Sequence, residues 1–162
     1  DFTCGVSSLQ AILYYYGLSY REEQLEKLLK SNKDKGTLPS EIVKFCKKVG
    51  LTVVEQHHMT IVKIKYYLKM KIPILVAYQA WGDPSTYTQK CDSGHYSVII
   101  GIVGDKIIFE DPSIIGKGYV TVTEFLNRWH DCDAQGNIYE QYGMMIFGLP
   151  IVYNSHRLYK IQ

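Results

Sequence analysis

Nothing in this 162-residue chain approaches the roughly 20 consecutive apolar residues that a helix needs to cross a bilayer. No basic stretch followed by an apolar one opens the sequence, so no export signal is read in it. The four cysteines, Cys4, Cys46, Cys91 and Cys132, form no CxxC pair, which argues against a structural zinc site. Neither sign of charge dominates. With 18 Lys and Arg against 16 Asp and Glu the net charge is +2, too even to point to nucleic acid or an anionic membrane as the main partner. Internal repeats and low-complexity tracts are also missing, and no motif calls for a cofactor. What remains is an ordinary globular composition, 46% hydrophobic and 21% charged. One domain over 1–162 is the economical reading, long enough to bury a core without staples.

Helical patterns fill the first half. Val6, Leu9, Ile12, Leu13 and Tyr16 recur at helical spacing from Cys4, with Gly17 as the stop. In Tyr14-Tyr15-Tyr16 the expectation is packing, with rings buried and hydroxyls wet. Ser19-Tyr20-Arg21-Glu22 reads as a capping box ahead of Leu25, Leu28 and Leu29. A third helix is predicted from 37–40, with Pro39 in its first turn and Cys46 on its inner face. Leu51 to Glu55 reads as a short strand, and Thr60 caps a fourth helix. After Pro73 the pattern turns extended. Ile74 to Tyr78 suits a central strand, followed by a long polar loop from Trp81 to Gly94. His95 to Val103 and Lys106 to Glu110 form a hairpin about Gly104-Asp105. Tyr119 to Val122 is a further strand, Thr123-Glu124 opens a short helix, Asp131 to Glu140 is a polar loop, and Met144 to Phe147 a late strand. Helices followed by antiparallel strands imply an α+β fold.

The chemistry gathers at three residues. Cys4 stands at a helix start, where unpaired N–H groups and the helix dipole favour a thiolate. Gly5 beside it would let the backbone approach a substrate carbonyl, and the Cys4 N–H would supply half of an oxyanion hole. Taken alone, Cys4 reads as well as a buried helix-start cysteine. His95, after Gly94, opens an apolar strand, and Asp111 ends its partner before Pro112 breaks it. Both therefore lie at one end of the hairpin, as an imidazole-orienting carboxylate requires. Register tests this. A strict two-residue turn makes paired residue numbers sum to 209 and puts Asp111 opposite Val98, on the wrong face for His95. A three-residue loop or a bulge changes the sum to 208 or 210 and brings them to one face, so an odd register is predicted, with Gly104 at positive φ. His57-His58 reads as a solvated turn, and His130-Asp131-Cys132-Asp133 as a solvated acidic loop without a second ligand cluster. His156 has no context, and Glu110 projects from the other face. Cys91 and Cys132 lie in polar stretches where pairing stays open, and with it the compartment.

At Cys4-Gly5, Gly94-His95-Tyr96 and Asp111-Pro112 together, the chain resembles the bacteriocin-processing, double-glycine peptidases of the papain-like cysteine peptidase clan. Thr3-Cys4-Gly5 with Ser8-Leu9 and Tyr16-Gly17 is similar to that family's first helix. Gly36-Thr37, Cys46 and Gly50-Leu51 follow its helical middle, Ile72-Pro73-Ile74 its strand before the active-site loop, and Glu124-Phe125 to Trp129 the element after the acid. The likeness runs over about residues 1 to 130. It implies a papain-like fold, a helical N-terminal half on a C-terminal antiparallel sheet. By resemblance Cys4 is the nucleophile, His95 the base and acid, and Asp111 the orienting residue, acting on a peptide or protein. The family's known substrates are leader peptides ending in paired glycines. The family also carries a glutamine shortly before the cysteine, whose amide completes the oxyanion hole. Only Asp1, Phe2 and Thr3 precede Cys4 here, and Gln10 is poorly placed, so the expectation is a chain cut just after that glutamine and belonging to a larger polypeptide. Acyl transfer through the same residues, or peptide binding without catalysis, are the alternatives.

Overall fold

The computed structural model describes residues 2–149 except 84, 89, 90 and 134; His156 lies outside them. Helices α1 (Cys4–Tyr15), α2 (Glu22–Leu29) and α3 (Pro39–Lys48) come first, then β1 (Thr52–Gln56), α4 (Ile61–Lys69) and β2 (Ile74–Gln79). The hairpin β3 (Gly94–Val103) and β4 (Lys106–Glu110) follows, then β5 (Lys117–Thr121), α5 (Val122–Arg128), β6 (His130–Cys132), β7 (Ile138–Glu140) and β8 (Gly143–Phe147). Six strands form one antiparallel sheet in the order β1-β8-β2-β3-β4-β5.

Alternation along β2 explains the layering. Every residue of β2 is buried, so it is covered on both faces, which its continuous apolar run demands. Leu75 and Ala77 join Leu9, Leu13, Leu25, Ile42 and Cys46 from α1, α2 and α3 in one core. Ile74, Val76 and Tyr78 join Ile64, Phe109, Phe125 and Trp129 in a second core under α4 and α5. The helical half thus packs on one face of the sheet, and two later helices close the other.

Several boundaries move for local reasons. Glu22 rather than Ser19 begins α2: the Arg21 N–H is met by the Gln24 side-chain oxygen at 3.1 Å. Thr121, two residues before the expected site, caps α5 by accepting from the Glu124 N–H at 3.2 Å. Thr60 caps α4 as its sequence predicts. Of the three tyrosines only Tyr16 is buried. Its hydroxyl is not wet but donates to the Ile146 carbonyl at 2.7 Å, while Tyr14 stays 73% exposed. The stretch from Asp131 to Glu140 is not all loop, since β6 and β7 pair as a small separate sheet. Asp133 builds their turn by accepting from the Gln135 and Asn137 N–H groups and from the Tyr139 hydroxyl.

Candidate active site

The β3–β4 register places the histidine and the acid. Near the turn the pairs Val103–Lys106, Ile102–Ile107 and Gly101–Ile108 follow a strict two-residue loop, with Gly104 at φ 61°. Ile100 then stands as an extra residue, and beyond it Ile99 pairs Phe109 and Val98 pairs Glu110. The odd register therefore comes from a mid-strand bulge, and Asp111 arrives on His95's face of the sheet. His95 Nε2 lies 3.0 Å from Asp111 Oδ2 and 3.1 Å from Oδ1, with both side chains almost fully buried. Ser113 donates its N–H and its hydroxyl to Asp111 Oδ1, and Tyr78 donates its hydroxyl to Oδ2 at 3.4 Å. With Nε2 turned to the acid, Nδ1 is left for the Cys4 thiol, with which the His95 ring is hydrogen-bonded.

Electrostatics at the three groups agree with the geometry. At Cys4 burial opposes a thiolate, but the hydrogen bond with His95, the backbone of Tyr96 and Gly5 and the His95 charge outweigh it, so the thiol falls below its ordinary value. At His95 burial opposes the cation, yet Asp111 and Cys4 push it up to about 9. Burial also opposes charge on Asp111; the bonds from His95 and Ser113 hold it well below the usual carboxylate range. Cys46 has no such partner, and burial pushes its thiol up to about 12. Two thiols of one chain are thus driven in opposite directions by their surroundings.

Cys4 and His95 line a cleft of about 330 Å³ together with Gly36, Thr37, Tyr96 and Asp131. Gly5 is buried, and a Cβ there would meet Thr37 Cβ at 2.7 Å and the Tyr96 ring at 3.0 Å. Its α-carbon is thus crowded by Thr37 and Tyr96, and a larger residue would not fit. Gln10 is committed elsewhere, its amide donating to the Tyr20 carbonyl at 2.7 Å. Glu110 lines a different groove, as the alternation predicts. His57 packs its ring on Tyr139 and Tyr142, His58 lies exposed 3.7 Å from Glu140, and no metal-ligating group forms among the described residues.

The sequence leaves one feature of the site open, the Cys91–Cys132 pairing, and gives no expectation that three others belong to it. Cys91 and Cys132 are bonded, Cα to Cα 5.6 Å, tying the long loop to β6 beside the cleft. Trp81, at the start of that loop, lies with its ring centroid 4.8 Å from that of His95 while half of it stays exposed. Gln79 is buried and links the walls, accepting from the Ser93 N–H and donating to the His130 carbonyl and to Asp131 Oδ1. Asp131 itself, expected to be solvated, faces the cleft. A polar residue closing an apolar strand, and a tryptophan just past it, were the signals available for Gln79 and Trp81.

The peptidase C39 family model matches residues 2–132. The chain belongs to the peptidase C39 family. Membership makes it a cysteine-type peptidase, and the fold agrees with that of solved C39 domains. A C39-like peptidase from Bacillus anthracis is 15% identical with a TM-score of 0.71, covering 93% of this chain and 91% of that one. The peptidase domain of Streptococcus ComA, a bifunctional ABC transporter of a quorum-sensing pathway, is 21% identical with a TM-score of 0.67, covering 91% and 92%. A double-glycine-motif protease from an AMS/PCAT transporter, solved with its leader peptide, is 17% identical with a TM-score of 0.63, covering 90% and 84%. No curated protein matches the sequence. No helix of this C39 peptidase among the described residues is long and apolar enough to cross a membrane.

Proposed function

We propose that this C39 peptidase cleaves peptide bonds through Cys4, His95 and Asp111, by way of an acyl-enzyme on Cys4. The observation that carries the reading is the His95–Asp111 contact of 3.0 Å, in a ring that is also hydrogen-bonded with the Cys4 thiol. Asp111 orients the imidazolium, which steadies the Cys4 thiolate. The thiolate attacks the scissile carbonyl, and the tetrahedral oxyanion lies near the start of α1, where N–H groups lack intrahelical partners. His95 then protonates the leaving amine. Water, deprotonated by His95, hydrolyses the thioester and frees Cys4.

The substrate we assign is a leader peptide ending in paired glycines. A cleft of about 330 Å³, narrowed by Tyr96 and Thr37, suits residues without side chains beside the scissile bond. A second, apolar groove of about 830 Å³ runs beside α1, lined by Tyr14, Tyr15, Tyr20, Leu68, Pro73 and Ile100, and has room for an apolar stretch farther along a leader. The whole of 1–162 acts as one peptidase domain in this reading.

Iodoacetamide labelling read by mass spectrometry tests the site without a known substrate. Cys4 is expected to label at least about tenfold faster than Cys46 at pH 7, and His95→Asn to slow it by a similar factor. Equal rates, or indifference to His95→Asn, overturn the mechanism. Cleavage of a Gly-Gly leader but not of its Ala-Ala counterpart checks the specificity.

A further inference from the structure

The acid that orients His95 is not the only carboxylate at the cleft. Asp131, on β6, reaches across to the start of β3. A Cβ built on Gly94, the residue before His95, would lie 2.7 Å from Asp131 Oδ2 and 2.8 Å from its Cγ. The carboxylate thus rests on the Gly94 α-carbon, and only glycine leaves it room. Asp131 is held there from two sides. Its Oδ1 accepts from Gln79 Nε2 at 3.1 Å and from the Cys132 N–H at 2.9 Å, and Cys132 is itself fixed by its disulfide to Cys91. Gln79 is buried with both ends of its amide bonded, so it cannot swing away. Oδ2 makes no hydrogen bond among the described residues, and Asp131 lines the same cleft as Cys4 and His95.

Resting on the assignment of Cys4 and His95 made above, we propose that Asp131 is a positioning residue for the thiol chemistry: its carboxylate seats the start of β3 and presents a negative charge to the His95 imidazolium. Several groups surround it. His95 and Tyr96 face it from β3, Gln79 from β2 and Tyr139 from β7, and Cys4 on α1 lines the same cleft. His130 and Asp133 flank it on its own segment, and Lys33 and Lys35 line the far wall of the cleft. Burial is the main influence on Asp131 and pushes it up to about 6, against the hydrogen bonds and the nearby histidines. Its charge therefore appears as the pH rises through about 6, and from there on it favours the protonated ring of His95.

Asp131→Asn isolates that charge, because an amide oxygen still accepts both bonds that Oδ1 now accepts. NMR titration of the His95 ring in the whole chain is expected to show its inflection fall by at least about 0.5 pH unit in the variant. The pH profile of Cys4 labelling by iodoacetamide should also lose a component centred near pH 6. The unaltered protein supplies an independent reading: its His95 resonances should carry a minor second inflection near pH 6, whether or not the variant folds. Superimposable titrations in Asp131→Asn, or a single inflection in the unaltered chain, overturn the role of Asp131. His95→Asn separates the two claims. If it slows Cys4 labelling while Asp131→Asn does not shift the profile, only the role of Asp131 falls; if it has no effect, the Cys4–His95 pair falls with it.

Discussion

An imidazolium wedged between a thiol and a carboxylate ties stability to pH. His95 is pushed up to about 9 from an ordinary 6.5, so its contribution to folding is complete below 6.5 and lost as the pH rises through 9. Asp111 is held low, so its contribution is present above the ordinary carboxylate value and lost as the pH falls toward its folded one. The pair favours the native state most between about pH 4 and 6.5, by on the order of 2–3 kcal/mol. Thermal midpoints of the unaltered chain should therefore decline from pH 6 to 9.5, and Asp111→Asn should flatten that decline; parallel curves would contradict it. Cys4, His95 and Asp111 were legible because each sits at an element boundary that sequence marks: a helix start, a glycine before a strand, a proline after one. Asp131 was not, because its burial depends on a loop folding back from 40 residues away, as the disulfide separation of 41 records. Gly5 was legible as a necessary glycine, but its crowding by Thr37 and Tyr96 was not, because both are distant in sequence.

Between residues and the whole, the β3–β4 hairpin decides whether the site exists. Bringing His95 and Asp111 to one face needs one odd step in the ladder, and pattern alone does not place it, because Ile100 looks like any other apolar strand residue. In the structure Ile100 absorbs the surplus residue, partly exposed, while Ile99 and Ile102 both point to the α4–α5 core. Deleting Ile100 leaves the Ile99–Phe109 pairing and every later one intact, so Cys4 labelling should survive within about threefold. Deleting Ile108 from the regular strand instead moves Asp111 opposite Val98, and labelling should drop to the His95→Asn level. Circular dichroism on both variants distinguishes a shifted register from an unfolded chain. Sequence places the helix starts to within three residues. The small β6–β7 sheet was missed because its three-residue strands are too short for alternation to register.

At the scale of the molecule, the long loop between β2 and β3 is anchored rather than loose. Arg128 Nη1 donates to the Ala80 carbonyl at 2.6 Å and its guanidinium lies 4.4 Å above the Tyr87 ring, while the disulfide holds the far end. A bridge closing 41 residues is worth about 4 kcal/mol on the chain-entropy account. Cys91→Ser/Cys132→Ser is thus expected to lower the thermal midpoint by roughly 10 °C. Reductant should do the same to the unaltered chain and nothing further to the variant; an unmoved midpoint would show that the bridge adds no stability. The α+β class and the helical first half were legible from periodicity. The closing of the sheet's second face was not, because α4 and α5 are separated in sequence by the strands they cover. That two-sided sheet has a consequence for how activity reports on folding. Cys4 belongs to the layer built by α1 to α3, whereas His95 and Asp111 lie with Tyr78 and Phe109 on the opposite side. On the proposed mechanism chemistry works as a logical AND over two docking events, so a protein with one layer peeled back is expected to lose peptidase activity before it loses its secondary structure.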